Sequence, residues 1–474
     1  MAALLGPAGF GLSGLFASIQ DLARCLAAMG ITTSGVRQIA AAVGSGEEQT
    51  IARTVTVLRR ITIWLGLAAA AVLAVFAKPI AEVTFKSEGV NAAQHAPEVA
   101  LLGLAVMLFT IAGGQDAIIQ GTRRISNMAL ISVVGSVLGV AVTVPTLYLL
   151  GARGIVPSMV MVAGVSCALS WWFGRQVRIA PVTVSSPEMR REAMALLKLG
   201  LAFLGSGLLT MGASYVIRTM VSRMDGMDAA GFYQSAWALA GMYATVVLQA
   251  MGADFYPRLT GVAHDNKECN RLVNEQAQVS LLLSGPGLIA TLTLAPLVIA
   301  IFYTPAFKAA VEPLRWFCLG MALRVLSWPL GFIIVAKAQQ VKFIAVEVLA
   351  TVVHVSLAFV GIKFFGVNGA GMAFLGLYLV HTFVIYALVR RTTGFRWSPE
   401  NVRVGLIVLS LTLVSFLAFE FAPFWPATIF GLLSAVVSGV YALRRLTRLV
   451  PLSRLPGPVR KLILLLKIAP PESV

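Results

Sequence analysis

The sequence predicts an all-α integral membrane protein: two parallel six-helix lobes, the first without its opening helix, plus a C-terminal helical hairpin, about thirteen transmembrane helices in all. Three observations predict it. First, 58% of the 474 residues are hydrophobic and only 12% are charged, about half the charge of a soluble protein. Second, apolar runs long enough to cross a bilayer, about 20 residues each, recur along the whole chain. Third, residues 8–40 slide onto 230–262 without a gap. Ala8, Gly9, Phe10, Ser13, Leu26, Ala28, Met29 and Gly30 then meet identical residues. Those eight matches exceed the roughly two or three expected from composition and fall at both ends of the segment, the mark of an internal duplication.

The predicted spans lie near 8–33, 61–77, 99–121, 127–150, 154–174, 197–222, 230–254, 278–303, 313–336, 342–364, 368–389, 402–421 and 424–443. They group into an N-lobe (1–178), a cytoplasmic linker (179–196), a C-lobe (197–391), an added hairpin (402–443) and a basic cytoplasmic tail (444–474). Gly113-Gly114, Pro145, Gly285-Pro286-Gly287 and Pro329 are expected to interrupt their spans, which bundles tolerate where neighbours satisfy the freed backbone groups. Two loop signatures repeat. Ser186-Pro187-Glu188 and Ser398-Pro399-Glu400 each read as an N-cap serine, a proline in the first turn and an acid facing the helix dipole. Gly151-x-x-Gly154 is echoed by Gly366-x-x-Gly369 as a tight turn before the last span of each lobe. The first residues carry neither a basic n-region nor a cleavage site.

Charge sets the orientation. Alternating loops at 34–60, 122–127, 174–198, 257–275, 336–343 and 389–403, with the tail from 444, hold 27 of the 37 Lys and Arg but 9 of the 20 acids. They are the cytoplasmic side by the positive-inside rule. The net charge of +17 is therefore a topology signal and gives no reason to expect nucleic acid as a partner. The span at 8–33 must run inward, as must its copy at 230–254. The second copy follows another span and the first follows none, so the first unit lacks a helix and upstream coding sequence is expected to supply it. Six spans per unit return the chain to one side, giving parallel repeats about a central site.

Leu5-Gly6-Pro7-Ala8-Gly9-Phe10-Gly11-Leu12, then Gly30-Ile31 and a basic loop with Arg37, Glu47 and Glu48, resemble the Wzx-type polysaccharide flippases of the MOP/MATE-like superfamily. Asp228-Ala229-Ala230-Gly231-Phe232-Tyr233 repeats the signature in the second half. The resemblance implies movement of an undecaprenyl-pyrophosphate-linked oligosaccharide across the bacterial cytoplasmic (inner) membrane by alternating access, for O-antigen, capsule or exopolysaccharide. It implies no enzyme activity and no cofactor, membrane lipids as surroundings, and a polysaccharide polymerase and chain-length regulator as partners. A pyrophosphate with sugars cannot cross hydrocarbon unaided, so a polar, cationic path is needed. A MATE-type multidrug or cation antiporter is the alternative, and acids without arginines in its cavity would mark it. A membrane polysaccharide polymerase or ligase would need a long outer loop with catalytic groups, and the longest outer segment, 78–98, has no such cluster.

Other motifs carry less. Gly9-x-Gly11-x-x-Gly14 matches a dinucleotide fingerprint literally, yet no βαβ unit surrounds it, and close helix packing through small residues explains it better. Cys25, Cys167 and Cys318 lie in apolar runs and Cys269 in a polar loop, which suggests neither a disulfide framework nor a zinc site. Residues 459–468 are too short to span and read as an interfacial helix with its basic residues toward anionic headgroups.

Candidate site residues are the charges inside spans. Arg24 and Arg324 lie near mid-span, Arg218 toward the outer end of the sixth span and Arg315 at the outer end of the ninth. A mid-membrane arginine costs about 2.5–3.5 kcal/mol on insertion scales, so Arg24 and Arg324 should face protein or a wet cavity. A planar fork of donors grips pyrophosphate oxygens bidentately, and these four arginines are the substrate-binding candidates. For Arg24 a local pair with Asp21, three residues back, is the competing reading. Asp116, Glu347 and His354 are the ion-coupling candidates, and the last two, seven apart, share a helix face. Reporters fused at Met1 and Val474 should read outside and cytoplasmic respectively, and a cytoplasmic signal at Met1 would refute this topology.

Overall fold

The computed structural model describes residues 1–45, 48–86, 92–177, 182, 184–250 and 255–449. The chain is all-helical among them, and nine described helices are long and apolar enough to cross a membrane, with a tenth if a bent pair counts as one. The predicted helix at 459–468 lies outside the described residues. Two compact units form, Met1–Gly231 and Phe232–Val474.

In the first unit, α1 (Ala2–Ala28), α2 (Ile31–Ser45), α3 (Glu48–Val75), α4 (Ala77–Phe85), α5 (Ala96–Gly121), α6 (Ile125–Leu150), α7 (Ile155–Arg175) and α8 (Ser186–Asp225) follow in order. α5 packs on α3 and α7, and α8 on α1 and α2. α9 (Met227–Ala250) leads into the second unit. There α10 (Tyr256–Gly261), α11 (Asn266–Thr293), α12 (Ala295–Phe302), α13 (Val311–Ala336), α14 (Gln340–Phe365), α15 (Val367–Thr393), α16 (Pro399–Phe421) and α17 (Phe424–Leu449) follow. α13 packs on α15 and α11, and α11 also packs on α16 and α17.

The short signatures have local causes. Gly6 adopts φ 64°, ψ −175° before Pro7, a glycine conformation that starts the regular part of α1. At the other end Met29 (φ 44°) and Gly30 (φ 68°) are left-handed and stop α1. A Cβ on Gly30 would strike the Gly200 carbonyl of α8, and one on Gly11 would strike backbone at the start of α9. Small residues here let backbones touch.

The stretch 34–60, expected to be a loop, is mostly helix. Ile31, Gly35 and Ile39 recur every fourth residue, so one face of α2 buries itself. Ile31 and Ile39 are fully buried, and Gly35 meets Leu58 of α3. The expected interruptions are also absent, since α5, α6, α11 and α13 run unbroken through their glycines and prolines. Gly114 and Gly285 instead sit where a Cβ would collide with Thr62 and Val408. The real bend comes at Leu294, where α11 and α12 meet at 83°.

The N-cap of α8 is Ser185, one residue before the serine expected. Glu188 then falls at the third helical position and accepts from the Ser185 N–H (3.2 Å) and hydroxyl (2.9 Å), a capping box. Those donors hold the Glu188 carboxyl below the usual carboxylate range. In α16 the cap is Ser398, whose hydroxyl accepts from the Asn401 N–H at 3.2 Å.

The two units repeat each other in backbone detail. Thr122, Arg123 and Arg124 donate to the carbonyls of Ile118, Gln120 and Ile119, at 2.9–3.0 Å. Lys337, Ala338 and Gln339, 215 positions on, donate to Ile333, Val335 and Ile334 at 3.0 Å. Arg123 (φ 57°) and Ala338 (φ 54°) share the left-handed conformation. Gly151 (φ 58°, ψ −137°) and Gly366 (φ 58°, ψ −145°) turn the chain alike after α6 and α14. Such a conformation costs a residue with a side chain about 1–3 kcal/mol. Gly151→Ala and Gly366→Ala should therefore each lower thermal stability in detergent, by similar amounts. Unequal losses would show that the turns are not equivalent.

Candidate functional site

Each unit carries a polar cluster inside its helices. In the first, Arg24 of α1 lays its guanidinium 4.1 Å from the centroid of the Phe109 ring on α5. Asp21 and Asp116 are the carboxylates whose charge acts on it, and Asp21 also feels Arg218. Neither carboxylate comes within the 4.0 Å of an ion pair with Arg24 among the described residues, so the local pair with Asp21 does not form as a contact. Asp116 accepts a hydrogen bond from the Ser170 hydroxyl of α7 at 2.7 Å. A second polar layer pins α7, as Arg59 of α3 donates to Gln115 Oε1 (3.3 Å) and to the Gly174 carbonyl (3.1 Å).

In the second unit Arg324 of α13 is the centre. Its guanidinium lies 4.8 Å from the Trp328 ring centroid and 6.0 Å from that of Tyr378 on α15. Its Nε is buried with no hydrogen-bond partner among the described residues, and no ion pair engages it there. Glu347 and His354, both on α14, feel its charge, as does His381 on α15. The Arg324 Nη1 reaches the Met321 Sδ at 4.0 Å, and rings can hold a desolvated guanidinium through their negative faces without using all of its donors.

The two arginines come from different helices of the repeat, yet they address one position of it. Phe109 plus 215 is residue 324. The first unit thus supplies an aromatic ring at that point of α5 and brings Arg24 over it, while the second supplies the arginine itself on α13.

Arg218 and Arg315 sit differently. Arg218 donates to the Gly14 carbonyl at 3.3 Å, tying α8 to α1. Arg315 is buried at 6% exposure. It pairs with Glu312 at 2.8 Å, reaches the Leu292 carbonyl at 3.4 Å and lies 3.8 Å from the Phe419 ring centroid. Those contacts join α13 to α11 and α16. Sequence reasoning missed Phe109, Ser170, Trp328, Tyr378 and His381. Only Trp328 left a signal, four residues beyond Arg324 on the same helical face.

The fold of this helical chain is similar to those of several solved membrane transporters. One solved structure with this fold is a multidrug resistance MATE family transporter in an inward-facing conformation, with 16% identity and a TM-score of 0.70, covering 82% of this chain and 91% of that one. A second is the lipid II flippase MurJ in an inward closed conformation, with 12% identity and a TM-score of 0.57, covering 92% and 97%. A third, a MOP superfamily transporter from Pyrococcus furiosus described as having a binding pocket of reversed polarity, gives 16% identity and a TM-score of 0.59 over 82% and 89%. The sequence matches the family described as "Polysaccharide biosynthesis protein" over residues 1–312, and the chain belongs to that family. The comparison with curated proteins gives no match.

Removing the Arg315 side chain should cost about 1.5–3 kcal/mol, the range for losing a charge-assisted hydrogen bond, read as a lower unfolding temperature in detergent. Transport per folded molecule should stay unchanged, and a loss of transport at full stability would return Arg315 to the substrate path.

Proposed function

We propose that this protein is a flippase for an undecaprenyl-pyrophosphate-linked oligosaccharide, moving it across the cytoplasmic membrane by alternating access. The observation that carries this reading is the state of Arg24 and Arg324. Both are mid-span cations braced by aromatic rings and free of ion pairs among the described residues. Asp21, Asp116 and Glu347 act on them from beyond ion-pair distance, so a pyrophosphate would supply an anion in contact, and guanidinium forks match its oxygens. Family membership in polysaccharide biosynthesis fits a saccharide cargo, and one protein of similar fold is a lipid II flippase. Arg24 and Arg324, one in each unit, are the residues this reading assigns to the pyrophosphate; Arg218 and Arg315 tie helices within their own units.

Asp116, Glu347 and His354 lie in the same clusters as those arginines, so a proton or sodium ion bound at a carboxylate would change the field at the substrate cation. This is the route by which an ion gradient drives transport. Carboxylates beside the arginines also suit the second reading, an antiporter of the kind the MATE fold serves. The arginines favour an anionic cargo over an apolar cation.

In a flippase-null strain at matched expression, Arg24→Ala and Arg324→Ala should each reduce surface polymer about tenfold or more, since a charge-assisted bond contributes about 1.5–3 kcal/mol and 1.4 kcal/mol is tenfold. The lysine variants should fall between, keeping charge but losing the fork. Full complementation by both alanine variants would refute the assignment. Glu347→Gln or Asp116→Asn should abolish the response of transport to an imposed ion gradient, and if both variants respond normally, neither residue couples.

A further inference from the structure

The first unit has a groove lined by none of the substrate-binding candidates. It is an open space of about 400 Å³ along α5 and α7, lined by Leu108, Gly164, Ala168, Trp171, Trp172 and Arg175. Its floor exists because side chains are missing: a Cβ on Gly164 would meet nothing within 4 Å, and Ala168 follows one turn later. Trp172 is 63% exposed. Gly164 and Arg175 are eleven residues apart on one helix, about 16 Å along its axis at 1.5 Å per residue. That is about half of a 30 Å hydrocarbon core, the depth of one leaflet. Arg175 ends α7 on the side where basic loops cluster, so the groove runs from mid-membrane to the cytoplasmic surface.

The mouth is basic. Arg59 and Arg124 are committed, donating to the Gly174 and Gln176 carbonyls at 3.1 Å each. Arg175 is exposed and makes no hydrogen bond or ion pair among the described residues. Among the described residues, one uncommitted guanidinium above an apolar trough one leaflet deep, flanked by two tryptophans, matches one amphiphile: a chain with one phosphate at its head. Tryptophan prefers this headgroup level.

We propose that the α5–α7 groove is a specific site for an anionic phospholipid of the cytoplasmic leaflet, its phosphate on Arg175 and one acyl chain laid over Gly164 and Ala168. Cys167 forms part of the same wall. Ser170 of the same helix donates to Asp116 at 2.7 Å, so α7 carries both the groove and a contact of the Arg24 cluster.

The test uses the full chain in phosphatidylcholine vesicles with rising amounts of phosphatidylglycerol brominated on its acyl chains. Fluorescence from Trp171 and Trp172 is read as the difference from the Trp171→Phe/Trp172→Phe protein. Brominated phosphatidylglycerol should quench that signal at several-fold lower mole fraction than brominated phosphatidylcholine. Arg175→Ala should remove the preference, Arg175→Lys should keep part of it, and Gly164→Leu should remove it as well. Arg175 is exposed, so its variants remain informative even if Gly164→Leu does not fold. Equal quenching by the two lipids, or a preference unchanged in Arg175→Ala, would overturn the proposal. So would displacement of the brominated lipid by an equimolar polyprenyl diphosphate, which would assign the groove to the transported lipid. None of these outcomes depends on transport, so failure here leaves the flippase reading standing.

Discussion

A guanidinium at mid-membrane is the constraint that organises this protein. It costs about 2.5–3.5 kcal/mol to place there even on the mildest scale, and it cannot be neutralised by losing its proton. Partners must be built for it. The chain builds them from rings: Phe109 for Arg24, and Trp328 with Tyr378 for Arg324. A ring lowers the cost of the charge without saturating its five donors. Contrast Arg315, where Glu312, the Leu292 carbonyl and Phe419 together satisfy the same group. One residue type is braced by rings or tied by polar partners according to what surrounds it.

The repeat explains how two such sites arise from one architecture. The turns at Arg123 and Ala338, and at Gly151 and Gly366, have matching dihedrals and hydrogen bonds, so α5 and α13 present corresponding positions. Duplication fixes the backbone and leaves side chains free to diverge. At the position of Phe109 and Arg324 the units diverged in sequence, and Arg24 from α1 restores a cation in the first. The charges belong to a site and not to a motif.

Much of the fold was legible because membrane helices advertise themselves by apolar length, and because turns need particular residues. Gly151 and Gly366 announce positive φ. α2 was illegible as a helix because it is short and mixes Thr32, Thr33, Ser34, Arg37 and Gln38 with small residues, and its buried face shows only as Ile31, Gly35 and Ile39. Glycines and prolines misled in α5, α6, α11 and α13, because a glycine that lets helices approach looks like one that breaks a helix. Arg24 and Arg324 could be nominated from depth alone. Their ring partners could not, since Phe109 and Tyr378 lie on other helices, and nothing local tells a guanidinium-bearing ring from a core one.

The most direct measurement is equilibrium binding of three ligands with the same chain, polyprenyl diphosphate, polyprenyl monophosphate and polyprenol, to the purified protein in detergent. If ring-braced guanidiniums await an anion, affinity should rise in the order alcohol, monophosphate, diphosphate, by about tenfold or more per 1.4 kcal/mol gained. The order should collapse when Arg24 and Arg324 are both replaced by glutamine. Equal affinity for the alcohol and the diphosphate in the unaltered protein would contradict the account.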